Sequence, residues 1–333
     1  MPSFTGCYAM RHLHNAVFFV VLSLLAAPQV IAQSFPTKAI TVVNTQAAGG
    51  PTDVTMRYIA QKMAENVGHS VLLESRPGGG GSVAAVYVRN SAPDGYTLLL
   101  GSVATFAVNV SLIAKLPYDP VKDFAPVSVL WSSPTMLMVS ANSPAKSVGE
   151  LIAMAKKAPD ALSFASSGFG TTGHLGGAML AAAAGSSMVH VPYKGSNEIM
   201  NDLMSGRVDL YIGSYASITP LYKAGKVRLL GAVTLKRNPA VPDLPTLPEM
   251  GYPDIHFDSW FGIVGPAKTP PTITQRLRDE MVRAAQSPEV IAKFAEQGTF
   301  TVTSSSPAEF GTLIASEIQR MARVVKISGA KAE

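Results

Sequence analysis

The chain has 333 residues, 47% of them apolar and 15% charged, with a formal net charge of +5. That is ample for one or two packed domains and too apolar for a disordered chain. The basic residues are scattered rather than clustered, which argues against nucleic acid as a partner and suits a small anion.

The first 32 residues read as an export signal. Arg11 supplies the charged start, residues 16–27 the apolar stretch, and Val30-Ile31-Ala32 a small-residue cleavage site, with cleavage after Ala32. Pro28 and Gln29 interrupt the apolar run well short of the roughly 18 residues a membrane anchor needs. The single cysteine, Cys7, lies in this segment. The mature chain is therefore expected to lack disulfides, thiolate metal sites and a cysteine nucleophile. Removing the segment takes away one arginine and no acid.

From Ala39 the pattern is strand, glycine-rich turn and helix, repeated, as in an α/β protein with mainly parallel sheets. "AITVVNT" is the first strand, and "AAGGPTD" turns it into a helix that places Met56, Ile59, Met63 and Val67 along one side, with Gly68 as its C′ residue. "SVLLE" is a second strand. "RPGGGG", residues 76–81, is either a mobile loop or plain turn chemistry, and the helix "SVAAVYVRN" follows. Pro93-Asp94-Gly95 then leads into the strand "YTLLL". The apolar run from Tyr96 contains Gly101, Ser102, Thr105, Asn109 and Ser111, too many polar groups for a bilayer, so a buried strand and a helix explain it better.

The middle of the chain starts the pattern again. "TMLMVS" is a strand, and "SVGELIAMAKKA" is a helix with Ser147 as N-cap and Glu150 in capping-box position. "LSFASS" is a strand, "GFGTTG" a turn, and a helix begins near His174. "MVHVPY", "NEIMNDLMSG" and "VDLYIG" read as strand, helix and strand, and after a turn-rich stretch two amphipathic helices close the chain near residues 272–285 and 307–325.

Two segments, "VVNTQAAGGPTD" and "LSFASSGFGTTGH", share one design: a strand that runs through small residues and glycines into a helix. A helix N-terminus offers free N–H groups and the positive end of the helix dipole, so each segment suits an anion. Two of them on opposite lobes define a shared cleft.

Competing readings of these residues fail on context. "GFGTTG" is formally a G-x-G-x-x-G fingerprint, but the next strand ends in Pro192, Tyr193 and Lys194, where a dinucleotide site needs an acid. "SPAK", residues 143–146, matches S-x-x-K, but the chain has no S-D-N or K-T-G partner. His69, His174, His190 and His256 show no helical ligand spacing, so neither a metal nor a cofactor is expected. His174 stands where it could line the cleft or serve a structural role. Asp53 either caps its helix or faces the ligand. At about 5 Å from an anion it would be repelled by about 3 kcal/mol at an effective dielectric near 20, so the second role requires a ligand ammonium.

The order "AAGGPTD", "SRPGGGGSVAA", "APDGYTLL", "LPYDPVKDFAPVSVL", "ASSGFGTTGHL", "HVPYKGS", "DLMSGRVDL", "AGKVRLLGAVTLKR", "PDLPTLPEMGYP" and "WFGIVGPAKTPP" resembles the periplasmic solute-binding proteins of tripartite tricarboxylate transporters, the Bug-type receptors. The resemblance implies a two-lobed, type II-like periplasmic binding protein. Lobe I would comprise residues 34–130 and 255–333, and lobe II residues 131–254. It also implies a monomer that captures an organic anion (a di- or tricarboxylate, an acidic amino acid or an aromatic acid) and passes it to a membrane permease. Carried over to this sequence, the ligand-binding residues are Gly49, Gly50, Pro51, Thr52 and Asp53 in the first lobe, and Ser167, Gly168, Phe169, Gly170, Thr171 and Thr172, with His174, in the second. The sequence departs from the pattern in one place: Asn44, Thr45 and Gln46 stand where an aromatic and prolines are usual, so this end of the pocket should be more polar. Two alternatives remain open, an exported enzyme acting on a carboxylate and a sensor with a signalling partner. Against the first stands the lack of a paired nucleophile and base in the cleft loops.

Overall fold

The structure is a computed structural model that describes residues 35–193 and 195–329. The export signal expected over residues 1–32 lies outside the described residues. From Lys38 onward the described chain forms one compact unit. It is an α/β fold built on two sheets flanked by helices.

The first sheet grows from β1 (Ile40–Asn44), β2 (Val71–Ser75) and β3 (Thr97–Ser102), which pair in parallel with β1 in the middle. β-branched and leucine side chains fill β1 and β3, and Val42, Val43, Leu98, Leu99 and Leu100 are fully buried, as strands covered on both faces require. The crossover from β1 to β2 is α1 (Pro51–Val67), which buries Met56, Ile59 and Met63 and ends at Gly68 in the left-handed conformation. The crossover from β2 to β3 uses α2 (Ser82–Arg89). After β3 comes a π-helical turn over Ala104–Val108 and the short α3 (Asn109–Leu112).

β4 (Phe124–Ser133) and β10 (Ser259–Pro266) extend this sheet antiparallel, and β11 (Phe300–Thr301) closes its edge, giving the order β11-β4-β10-β3-β1-β2. The parallel arrangement read from the sequence thus describes a three-stranded block, which antiparallel strands then complete.

The second sheet repeats the scheme. β6 (Ser163–Ser166) lies between β7 (Val189–Pro192) and β8 (Leu210–Ser214), all parallel, and β5 (Thr135–Ser140) and β9 (Val227–Ala232) are added antiparallel. Its helices are α4 (Val148–Lys157), α5 (Thr172–Ala184), α6 (Ser196–Ser205) and α7 (Tyr215–Lys223). Ser147 Oγ accepts the Glu150 N–H at 3.1 Å, while the Glu150 carboxylate accepts the Lys146 N–H at 2.7 Å. This brackets the start of α4 in the manner of a capping box. Glycines let α5 lie close on its sheet, for a Cβ at Gly177 would collide with the Phe164 ring.

Two segments connect the sheets. Pro134 alone separates β4 from β5, and the return runs from Val233 to Ser259. Thr135 ties them together, its hydroxyl donating to the Phe257 carbonyl at 2.8 Å and its own carbonyl accepting the Val233 N–H at 2.8 Å. The C-terminal helices are α8 (Pro271–Ala285), α9 (Pro288–Glu296) and α10 (Pro307–Ser328). Each begins with proline, whose missing N–H is no loss there. α10 packs against elements of both sheets, and its Phe310, Ile314 and Met321 share a buried cluster with Phe106 and Trp260 on one side and Leu175 and Met179 on the other.

Candidate functional site

The two glycine turns occupy equivalent places, each at the carboxyl end of the middle strand of a parallel block, β1 and β6. In the first, Gly49 has φ +76 and Gly50 is the extended N-cap of α1. In the second, Gly168 and Gly170 have φ +115 and +73, conformations that favour glycine, and Thr171 is the N-cap of α5. Between the sheets lies a cavity of about 260 Å³ lined from both. Its walls include Pro51 and Thr52 from the first turn, and Ser167, Thr171, Thr172 and Gly173 from the second.

Helix geometry leaves the N–H groups of Thr52 and Asp53 in α1, and of Thr172 and Gly173 in α5, without intrahelical partners. Pro51 contributes no N–H and shapes the turn. A third helix start, which the sequence does not advertise, joins them: Ser214, Ala216 and Ser217 of β8 and α7 line the same cavity. Ser196, at the start of α6, is a fourth. The Tyr215 N–H is already used by the Pro134 carbonyl at 2.8 Å, which anchors α7 to the connection between the sheets. The α7 sequence "YASITPLYK" carries Pro220 and two β-branched residues, so its periodicity is poor. The signal available was the serine before it, a good N-cap residue.

The lining is uncharged. It is rich in serine and threonine, it includes Gln46 and Gln297, and no charged side chain contributes to it among the described residues. Its apolar part includes Val103, Ile212, Trp131 and Phe261, the last two stacked with ring centroids 5.0 Å apart. An anion here would be held by hydroxyls, amides and helix N-termini rather than by a lysine or arginine.

The remaining sequence-predicted residues are placed elsewhere, Gly49 and Phe169 at the exposed surface and Asp53, Gly170 and His174 buried. Gly49, Gly50, Asp53, Gly168, Phe169, Gly170 and His174 are outside the cavity lining. Asp53 is buried, and its carboxylate accepts the Gly49 N–H at 3.0 Å and the Arg57 Nε–H at 2.9 Å. It braces the turn from inside its helix and does not face the cavity. His174 plays the corresponding part in the second turn, where its Nδ1 accepts the Gly170 N–H at 3.0 Å. Its ring stacks on His190 at 4.2 Å, and Phe169 packs edge-on against both. Burial, with a smaller contribution from His190, pushes the His174 pKa down to about 4, and burial lowers that of His190 as well. Both rings are therefore neutral at pH 7, as acceptance at Nδ1 requires. The turn is further closed by the Thr171 hydroxyl, which donates to the Gly168 carbonyl at 2.7 Å, and by a 2.6 Å hydrogen bond between Ser166 Oγ and His190 Nε2.

Gly170 meets the other lobe directly, since a Cβ there would collide with Leu112 of α3. Among the described residues no group of three or more His, Cys, Asp or Glu is placed to hold a metal ion, and no helix is long and apolar enough to cross a membrane.

Two sheets joined by two crossing segments, with helix N-termini converging on the cavity between them, define a solute-binding receptor of the periplasmic class. Residues 55–330 match the tripartite tricarboxylate transporter family receptors, and the chain belongs to that family. It is 34% identical to protein BugT of Bordetella pertussis over 314 residues, covering 94% of this chain and 96% of that one. Among solved structures it is similar to R. palustris Rpa4515 with adipate, at 35% identity and a TM-score of 0.81, covering 89% of this chain and 99% of that one. It is also similar to MatC from Rhodopseudomonas palustris with bound malate, at 32% identity and a TM-score of 0.78, covering 87% and 100%.

Proposed function

We propose that this chain is a non-enzymatic periplasmic receptor that captures a small organic carboxylate between its two glycine turns and delivers it to the membrane permease of a tripartite transporter. The observation that carries this reading is the convergence of unpaired helix N-terminal N–H groups from both sheets on one uncharged cavity. Adipate and malate in the structures of two relatives support the ligand class. Within that class, an uncharged lining and an Asp53 already satisfied by Gly49 and Arg57 favour di- or tricarboxylates and aromatic acids over acidic amino acids.

We take lobe I as residues 34–130 and 255–333 and lobe II as residues 131–254. The draw of the first sheet on residues 40–133 and 259–301, and of the second on residues 135–232, supports the division. The protein acts as an exported monomer cleaved after Ala32. Hydrogen bonds to a charged group are worth about 1.5–3 kcal/mol each, so three or four suffice for micromolar affinity after ordering costs. A ligand touching both lobes stabilises the closed arrangement, since only differential contact shifts such an equilibrium. The test is a thermal-shift screen against carboxylates, with mass analysis of the recovered ligand. A raised Tm with the ligand recovered unchanged is expected. Chemical conversion of the ligand, or no shift with any carboxylate, contradicts the reading.

A further inference from the structure

We infer that Gln46 and Gln297 together form the specificity-determining subsite of the cavity, presenting amide N–H groups to a second acceptor group at the far end of the ligand. This rests on the receptor reading above and names the residues that choose among its ligands.

The two glutamines come from segments 251 residues apart, and each is hydrogen-bonded to a threonine of α1. Thr52 and Thr55 are three apart on that helix, so their side chains are neighbours, with Cβ atoms about 5–6 Å apart. The Thr52 hydroxyl donates to Gln46 Oε1 at 2.7 Å. The Thr55 hydroxyl shares its one hydrogen between the Pro51 carbonyl at 2.8 Å and Gln297 Oε1 at 3.2 Å. Both hydroxyls are buried, so each amide is oriented from beneath by a fixed group. The Gln297 backbone is itself pinned, its N–H donating to the Phe294 carbonyl at 3.0 Å as α9 ends.

With both carbonyl oxygens turned to α1, both side-chain –NH2 groups are left without a protein partner among the described residues, and both side chains line the cavity. A primary amide nitrogen has two hydrogens to donate and accepts none. Two of them side by side, with no carboxylate in the lining to compete, suit a group that only accepts: a second carboxylate, in preference to a methyl or a hydroxyl. The first carboxylate is left to the N–H groups at the starts of α1 and α5, so the ligand bridges the lobes at one end and reaches the two amides with the other.

The test is calorimetric titration of the exported protein with two series of probes, linear dicarboxylates of four to seven carbons and the monocarboxylates of equal length. Wild type is expected to prefer the dicarboxylates. Gln46→Leu and Gln297→Leu are each expected to weaken the best dicarboxylate about tenfold and together about 100-fold, the factor that one to two charge-assisted hydrogen bonds represent. Monocarboxylate affinity should fall far less than dicarboxylate affinity. Equal losses for both series, or no loss for either, overturn the subsite and leave the receptor reading standing. Failure of wild type to bind any member of either series overturns both.

Discussion

The carboxylate of Asp53 accepts the amide hydrogen of Gly49 four residues back, at 3.0 Å. An acid in the first turn of a helix that opens onto an anion site would repel the ligand if it faced outward. Directed at Gly49 and neutralised by Arg57 at 2.9 Å, it instead holds the turn in shape and leaves the neighbouring N–H groups to the cavity.

Asp53→Ala removes that brace. The Gly49 N–H loses its partner, and the expected cost is about 1–3 kcal/mol of stability together with weaker carboxylate binding. Asp53→Asn keeps an acceptor for Gly49 and should fall between the alanine variant and wild type. Thermal unfolding with and without a bound carboxylate measures both effects.

An acid bearing an ammonium group gains nothing from this cavity, because Asp53 does not line it and no other acid does among the described residues. Glutarate should therefore bind more tightly than glutamate, which would have to strip water from its ammonium without a partner. Competition calorimetry with this pair reads the difference directly.

The glycines of the two turns are not equivalent. Gly170 combines φ +73 with close approach to Leu112, so Gly170→Val strains the backbone and pushes against the first lobe. It should reduce affinity at least tenfold. Gly50 has φ −74, open to any residue, and its Cβ would meet only the Ala47 carbonyl at 3.3 Å. Gly50→Ala should cost under about 1 kcal/mol of binding, in contrast to Gly170→Val.

Acid should loosen the second turn. The His174 pKa lies at about 4 in the folded protein and near 6.5 when unfolded, so between those values the unfolded chain binds more protons. Stability therefore falls as the pH drops from about 6.5 to 4, by at most about 1.4 kcal/mol per pH unit for this group, and levels off below. The lowered pKa of His190 acts in the same direction. Protonation at Nδ1 also ends its acceptance of the Gly170 N–H, so affinity should decline with stability. His174→Asn, whose Oδ1 can accept that N–H without titrating, should flatten both profiles in melts recorded from pH 7 to 4.

Much of the fold was legible because its signals are local. The periodicity of Met56, Ile59 and Met63, the glycine at position 68 and the Ser147–Glu150 pairing each describe a helix and its ends within a few residues. β4, β9, β10 and α9 are not announced by local pattern, since their strand or helix character depends on neighbours distant in sequence. β10 owes its burial to β3 and β4 on either side, and α9 is announced only by Ser287-Pro288-Glu289. At the site, the turns could be located from their glycines and threonines, but not the inward or outward direction of each side chain. Nothing in the sequence separates Thr52, on the cavity wall, from Asp53 behind it. The stack of His174 on His190 joins residues 16 apart with no ligand-like spacing, and Gln297 reaches Thr55 across 242 residues.

The most direct measurement is a crystal structure with the carboxylate that stabilises the protein best. The account predicts carboxylate oxygens within about 3.2 Å of main-chain N–H groups at the starts of both α1 and α5. A ligand held by residues of one sheet alone, or seated outside the cavity between the turns, would contradict it.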